Sequence, residues 1–380
     1  MKTILYVFEF ADDSGVPPRE KSDALWGLVQ ARLESLNPGI RAAAAGGIFR
    51  RAGGNGLAFK RVCNFFYMHI SAPFRILFSR ADAVFVRTTP PLIQLSYAFW
   101  CGVFRRKKIL WLMDYHPVFG VRTTPEKSLS NRTWKILDFV DRLLLKKFDL
   151  VVCIDEAMRE LVKERAPNVK TAVCPTFSLK AVEWLDLRKR PRSDEPLRLL
   201  YSGNLGKSHS VGRLEKLLKL LSEGRGVEFS YCGASGAAAD VFARMCSRCG
   251  AKFKRHAFVE NYGELGEFYK REGFDFGVVL LNDELKGVVS PSKFSGYSAF
   301  GLPIIYIGPR GTNVDIACRK FGAGLSADSD ASLAELAESA LCPDIRNACA
   351  SATKRAAEYF SPNAANALAE ILDGFMRNSA

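Results

Sequence analysis

Along this chain, short apolar runs alternate with longer stretches whose apolar positions fall three and four residues apart. Thr3–Phe10, Ala83–Arg87, Lys108–Met113 and Leu150–Ile154 read as buried strands. Ser22–Leu36, Leu92–Phe104, Trp134–Lys147 and Glu156–Arg165 carry helical spacing between and after them. Strand and helix in strict alternation imply parallel strands joined by crossover helices. The pattern then breaks. Lys180–Glu195 is charged and holds Pro191, with Pro196 just beyond it, the composition of an interdomain linker. It restarts with strands at Leu197–Ser202, Val227–Cys232, Lys252–Ala257, Gly277–Leu281 and Pro303–Ile307, and closes with helices at Ala331–Leu341, Asp344–Tyr359 and Asn363–Arg377.

A length of 380 residues suits two such domains better than one core. The expected organisation is α/β: two Rossmann-like domains, residues 1–185 and 196–360, with a ligand cleft at the carboxyl ends of their strands. The last stretch, 361–380, is expected to be a helix packing back on the first domain.

Charge changes the picture by being uneven. The net +14 falls almost entirely in the first half, and Arg41–Met113 holds 12 basic residues against the single acid Asp82. Such a surface suits an anionic partner: phospholipid, a lipid pyrophosphate or nucleic acid. Lys60–Ile70, Phe74-Arg75, Phe99-Trp100 and Phe104–Lys108, with Phe49–Arg51 before them, interleave basic and bulky apolar residues. A basic, aromatic-rich helix can lie in a membrane interface; the alternative is that its aromatic stripe packs into the first core. No RNA- or DNA-binding motif accompanies these stretches. The most apolar run, Leu92–Phe104, falls well short of the roughly 20 residues that span a bilayer. The cysteines are scattered and many lie in apolar runs, which fits a reduced cytosolic compartment. Cys246 and Cys249 form one CxxC, but no second pair completes a zinc site.

Three places can carry chemistry. Tyr201–His209 (YSGNLGKSH) follows a strand and precedes a helix. Gly203 and Gly206 let the backbone approach a ligand, Lys207 adds a positive charge, and the helix start offers amides to a phosphate; the alternative is an ordinary glycine-rich turn. Gly287–Pro303 holds a short helix of about ten residues, with Ser290 as N-cap, Pro291 as its first residue, Gly301 ending it and Pro303 starting the next strand. Ser292 and Lys293 at its start form a second anion site. Two such starts, each with a lysine, suit a diphosphate, whose negative charge grows as it departs. Trp111–Pro117 is an apolar strand that ends in Asp114 and His116. Either residue can act as a general base or contact a sugar hydroxyl. The alternatives are a helix cap for Asp114 and a packing role for His116.

Taken in order, Thr88–Pro91, Trp111–Asp114, Ser202–Gly206 with His209, and Pro291–Lys293 through Gly301–Pro303 resemble the GT4-like glycosyltransferases of the GT-B fold, in particular the bacterial branch of surface-polysaccharide synthesis. The resemblance spans most of the chain. It implies a hexosyltransferase-type activity with a retaining outcome and no metal or other cofactor. Its donor is a nucleoside-diphosphate sugar bound by the second domain, and its acceptor a saccharide, polyprenyl-linked in this branch, bound by the first. Residues Gly203, Asn204, Gly206, Lys207, His209, Gly233, Ser292, Lys293 and Gly296 then fall on the donor side, and Gly15, Thr89 and Pro90 on the acceptor side. The implied location is cytoplasmic, peripheral on the inner face of the membrane, with no nucleic-acid partner. The chain departs from the family at three places. Val288 and Gly296 stand where two glutamates are usual, Asp12–Pro18 keeps one glycine of the first-domain loop, and Tyr115-His116 replaces Leu-Tyr. The single DxD, Asp328-Ser-Asp330, reads as helix-capping residues. Two other readings remain: a GT-B homologue that binds nucleotide sugars without turnover, and another Rossmann-type nucleotide-sugar enzyme. The second wants a GxGxxG after the first strand, which Glu9–Pro18 lacks.

Overall fold

The structure, a computed structural model, describes residues 2–9, 24–47, 57–175, 184–187, 195–209, 211–259, 262–361 and 363–378. It divides into two compact units, Met1–Pro175 with Gly287–Val289 and Pro362–Ala380, and Thr176–Lys286 with Ser290–Ser361.

Unit 1 runs β1 (Lys2–Val7), α1 (Ala24–Leu36), β2 (Ile40–Ala45), α2 (Leu57–Ser79), β3 (Ala83–Arg87), α3 (Ile93–Val103), β4 (Lys107–Leu112), α4 (His116–Thr123), α5 (Leu129–Leu145), β5 (Leu150–Cys153), α6 (Glu156–Arg165) and β6 (Thr171–Val173). Its strands form a parallel sheet in the order β2-β1-β3-β4-β5-β6, so the chain reverses its winding between β1 and β3. One face of the sheet is a row of aromatic rings. Trp26 stacks on Tyr6 at 4.5 Å, and Phe85 lies 5.5 Å from Tyr6 and 5.7 Å from Trp111. All four are buried, each ring withdrawing 150–250 Å² from water.

Unit 2 runs β7 (Leu197–Ser202), α7 (Val211–Gly224), β8 (Val227–Cys232), α8 (Gly236–Cys249), β9 (Lys252–His256), α9 (Tyr262–Glu272), β10 (Phe276–Leu280), α10 (Lys293–Ala299), β11 (Ile304–Ile307), α11 (Asn313–Arg319), β12 (Gly324–Ala327), α12 (Ser332–Leu341) and α13 (Pro343–Tyr359). The sheet order is β12-β11-β10-β7-β8-β9, again parallel, with the reversal between β7 and β10. On α7 the residues Leu214, Leu217, Leu218 and Leu221 follow the i, i+3, i+4, i+7 pattern, and all four are fully buried. Each contributes about 2 kcal/mol of apolar burial. Trp184 and Leu185 belong to this unit: the Trp184 indole donates to Thr353 Oγ1 at 2.8 Å.

The closing helix, α14 (Ala364–Arg377), lies in unit 1 against α1. Asn37 Nδ2 donates to Asp373 Oδ1 at 2.9 Å, and the Lys2 ammonium reaches the Met376 carbonyl. The two parallel sheets with flanking helices make this an α/β chain, as the alternating pattern implies.

Two local readings are corrected. The short helix α10 begins at Lys293, not Pro291, and no side chain caps it. Ser290 instead accepts a long hydrogen bond from Asn313 Nδ2, at 3.4 Å. Its end is as read: Gly301 follows with φ +79°, a conformation that suits glycine. A Cβ there would also stand 1.9 Å from the Leu185 carbonyl. Asp328 and Asp330 do not cap α12. Asp328 pairs with Arg310, and Asp330 with Lys216.

Candidate functional site

In an open parallel sheet the crevice for a ligand forms where the winding reverses, outside the carboxyl ends of the strands. Each unit has one such place.

In unit 2 it lies at the ends of β7 and β10. Ser202 closes β7, and Gly203 turns the chain at φ +93° with open space where a side chain would point. Gly203 N donates to the Cys232 carbonyl at 2.8 Å, which ties the turn to the end of β8. Gly233 passes so close that a Cβ would meet Tyr231 Oη at 2.3 Å and the Gly203 carbonyl at 2.8 Å. Asn282, just past β10, clamps the turn from the other side. Its amide nitrogen donates to the Ser208 carbonyl and its side chain to the Lys207 carbonyl, both at 2.8 Å.

The turn's amides are therefore partly committed. Ser202 N donates to Tyr297 Oη at 2.8 Å, Gly203 N to Cys232, and Gly206 N to His209 Nδ1 at 2.8 Å. Among the described residues, the amides of Asn204, Leu205 and Lys207 have no partner. The glycines thus shape the turn, and their neighbours are the amides left to offer an anion.

Above the turn stands Lys293. Its ammonium is buried, has no hydrogen-bond partner, and rests 3.7 Å from the centre of the Tyr201 ring. Burial pulls its pKa down to about 7. The ring's negative face is a weak substitute for the water it has lost. His209 lies edge-on to the same ring, 5.9 Å between centroids. Burial first, and the Lys293 charge second, lower its pKa to about 4, so the imidazole is neutral near pH 7. Its Nδ1 lies 2.8 Å from the Gly206 amide nitrogen and 3.0 Å from the Gly206 carbonyl, so the turn holds the ring in place. Lys207 itself is exposed. Ser292 flanks α10 on the exposed side, and Gly296 lies one turn into that helix. The fixing residue of α10 is Tyr297: its ring lies against Gly277 of β10, where a Cβ would come within 2.4 Å of it, and its hydroxyl takes Ser202 N.

In unit 1 the reversal lies at the ends of β1 and β3. Thr88, fully buried, binds the end of β3 to the end of β4: its amide donates to the Trp111 carbonyl at 3.1 Å and its hydroxyl accepts from Met113 N at 3.0 Å. The Thr89–Pro90 bond is cis, Thr89 is half-buried and Pro90 buried. Gly15 lies outside the described residues.

Asp114 lies just before α4 and His116 is the first residue of that helix, both half-buried. The flanking residue of that helix is Tyr115, with no side-chain cap, so Asp114 is not spent as one. Burial raises the Asp114 pKa, against the pull of His116 and Arg87. Burial lowers that of His116, against the pull of Asp114. Between them Tyr115 points inward. Its hydroxyl accepts from Arg165 Nε at 2.9 Å, and Arg165 also binds Asp138 at 2.6 Å and stands 3.9 Å from Asp141. Gln94 donates to Asp141 at 3.1 Å. This buried network holds the backbone that presents Asp114 and His116, and Tyr115 N is held in turn by the Val288 carbonyl at 2.9 Å.

Three of these groups escaped the sequence reading. Asn282 follows a buried strand as Asp114 does, and that position was a usable signal. Tyr297 and Arg165 sit inside helices, where nothing in the spacing sets them apart. Among the described residues, no three of His, Cys, Asp and Glu converge as metal ligands would.

No protein-family model matches the chain, and no curated protein matches it. Solved structures do. A sucrose-phosphate synthase from Thermosynechococcus elongatus matches over 100% of both chains with a TM-score of 0.66 and 12% identity. HepE from Anabaena, solved with UDP, matches over 98% of this chain and 100% of its own, with a TM-score of 0.58 and 14% identity. A glycosyltransferase from Rickettsia africae matches over 99% of each chain, with a TM-score of 0.58 and 14% identity. The chain has the GT-B fold found in glycosyltransferases.

Proposed function

We propose that the protein is a glycosyltransferase that takes a sugar from a nucleoside-diphosphate donor. The observation that carries this reading is Lys293, a buried ammonium without an acceptor, set beside a turn with unclaimed amides at the switch point of unit 2. A diphosphate supplies the missing acceptor. It also gains negative charge when the bond between the anomeric carbon and its oxygen breaks, which is when a fixed cation stabilises it most. The acceptor hydroxyl forms the new bond to the anomeric carbon. Asp114 or His116 accepts its proton or holds the sugar.

HepE, which shares the fold, was solved with UDP and with UDP-glucose, and this supports a nucleotide sugar as ligand. The finer reading rests on the family resemblance. It is a GT4-like, retaining hexosyl transfer without metal, onto a polyprenyl-linked saccharide for a cell-surface polysaccharide. It takes place on the anionic inner face of the cytoplasmic membrane. No helix among the described residues is long and apolar enough to cross a membrane. In this reading the basic, aromatic-rich helices of the first unit carry the attachment.

The test is thermal stabilisation by UDP, GDP, dTDP, CMP and NAD, with Lys207→Ala/Lys293→Ala beside the wild type. One nucleoside diphosphate at about 100 times its Kd is expected to add about 2.7 kcal/mol, and the double variant to lose the response. Stabilisation by NAD alone, or by no nucleotide, would overturn the proposal.

A further inference from the structure

Helix α2 is apolar on two opposite sides. Met68, Ala72 and Ile76 point into the core of unit 1. Phe59, Val62, Phe66, Ile70, Phe74 and Leu77, spaced three and four apart, form a second stripe that points outward. The outer side of a surface helix is normally polar, yet Phe59 and Ile70 are each 69% exposed.

Helix α5 repeats the arrangement. Leu129, Ile136, Phe139, Val140 and Leu143 share its outer side, with Leu129 79% exposed, while Asn131, Asp141 and Leu145 face inward. Helix α3 packs against both α2 and α5, and so lies between them, with Phe99 and Val103 exposed. Three neighbouring helices therefore present apolar ridges to solvent. Scattered apolar side chains on a surface need no explanation, but a run of them across one face does.

The charge on this face has one sign. Neither α2 nor α3 contains an acid, and the two acids of α5, Asp138 and Asp141, both turn to Arg165. Exposed bases rim the ridges: Arg61 on α2, with Lys60 half-buried beside it, Arg105 beyond α3, and Arg132, Lys135 and Arg142 on α5.

We infer that α2, α3 and α5 form one bilayer-docking face, in which α2 and α5 are two separate insertion ridges and an anionic lipid surface is the occupant. The inference deepens the membrane reading above and rests on it. It adds that α5 is as necessary as α2. Bulky apolar side chains enter the acyl boundary, and the lysines and arginines around them meet the headgroups. A second copy of this chain would bring the same positive charge to the face and be repelled, whereas anionic lipid is complementary to it.

The test uses the full chain and vesicles of phosphatidylglycerol with phosphatidylcholine, or of phosphatidylcholine alone. The wild type is expected to sediment with the anionic vesicles. Phe66→Ser/Ile70→Ser on α2 and Ile136→Ser/Phe139→Ser on α5 should each weaken that binding by about tenfold or more. The nucleotide-induced stabilisation should stay intact in both. Phe66→Trp and Ile136→Trp, which keep bulk at both sites, should each give a blue-shifted difference emission on adding vesicles. If the α5 variants bind like the wild type and Ile136→Trp shows no shift, the two-ridge inference is wrong while the membrane reading stands. If the wild type ignores anionic vesicles, both fall, and the transferase reading still rests on its own nucleotide test. If the wild type is a dimer that the serine variants dissociate, with vesicle binding unchanged, the face belongs to a second copy and the inference is overturned.

Discussion

The two sheets reverse their winding in the same way, yet furnish the resulting crevices differently. In unit 2 the crevice is shaped by backbone: Gly203 at φ +93°, Gly233 pressed against Tyr231, and a turn clamped by Asn282, with one uncompensated cation, Lys293, above it. In unit 1 the chemistry comes from side chains past the end of the neighbouring strand, β4: a carboxyl and an imidazole on either side of Tyr115, backed by a buried ionic network. Backbone amides and a buried ammonium suit a ligand whose charge is fixed and negative. A carboxyl pushed up and an imidazole pushed down by burial suit a group whose proton moves. The comparison teaches that one topology can supply either chemistry, according to whether glycines or titratable residues occupy the strand ends.

The sharpest way to break it is Asp114→Asn. If unit 1 handles the proton, kcat should fall about 10²- to 10⁴-fold in a sugar-transfer assay. The nucleotide-induced stabilisation should not change. Equal losses in both would show that Asp114 serves the donor side instead. Next is Arg165→Met, which leaves Asp138 and the buried Asp141 without their cation. Breaking a buried pair this way should cost about 3–5 kcal/mol in denaturant unfolding. A loss below about 1 kcal/mol would mean that the network is not what holds the Asp114–His116 turn.

Lys293→Met sharpens the other half. Donor diphosphate affinity should drop about 100-fold by calorimetry, the larger end for a charge-assisted contact. The ligand-free protein should become more stable by roughly 1–3 kcal/mol, because a desolvated ammonium has gone. The pH dependence has a definite sign. Between pH 7 or so and the ordinary lysine value of 10.5, the unfolded chain keeps a proton that the folded chain has released. Wild-type stability should therefore rise with pH across that window, and the methionine variant should show a flatter profile. The smallest expected effect is Gly203→Ala. A non-glycine residue at positive φ should lose about 1 kcal/mol, and its methyl enters open space, so donor affinity should fall less than for Lys293→Met.

The sequence was easiest to read in the middle of each sheet. Ala83–Arg87, Leu197–Ser202 and Val227–Cys232 coincide with β3, β7 and β8, because strands covered on both faces read as unbroken apolar runs. The strands that went unread, β2, β6 and β12, are all at sheet edges. Covered on one side only, they carry alanine, threonine, serine and glycine, which leave no such run. At the sites, the motif glycines and Lys293 could be read from their position after strands and before helices. What could not be read was which atoms remain available. Lys293 and Lys207 look equivalent in sequence, and only packing makes one a buried cation and the other a solvent-exposed one.

The seat of α14 on α1 also bears on the order in which the protein can be made. Leu368, Leu372 and Met376 are buried, and the Lys2 ammonium, on β1, binds the Met376 carbonyl. The first unit to leave the ribosome therefore cannot close until residues 364–377 have emerged, after the whole of unit 2. Unit 2 has no such debt to later sequence beyond Ser361 and can finish first. A fragment cut at the linker would lack the helix that covers α1 and so a wall of its own core.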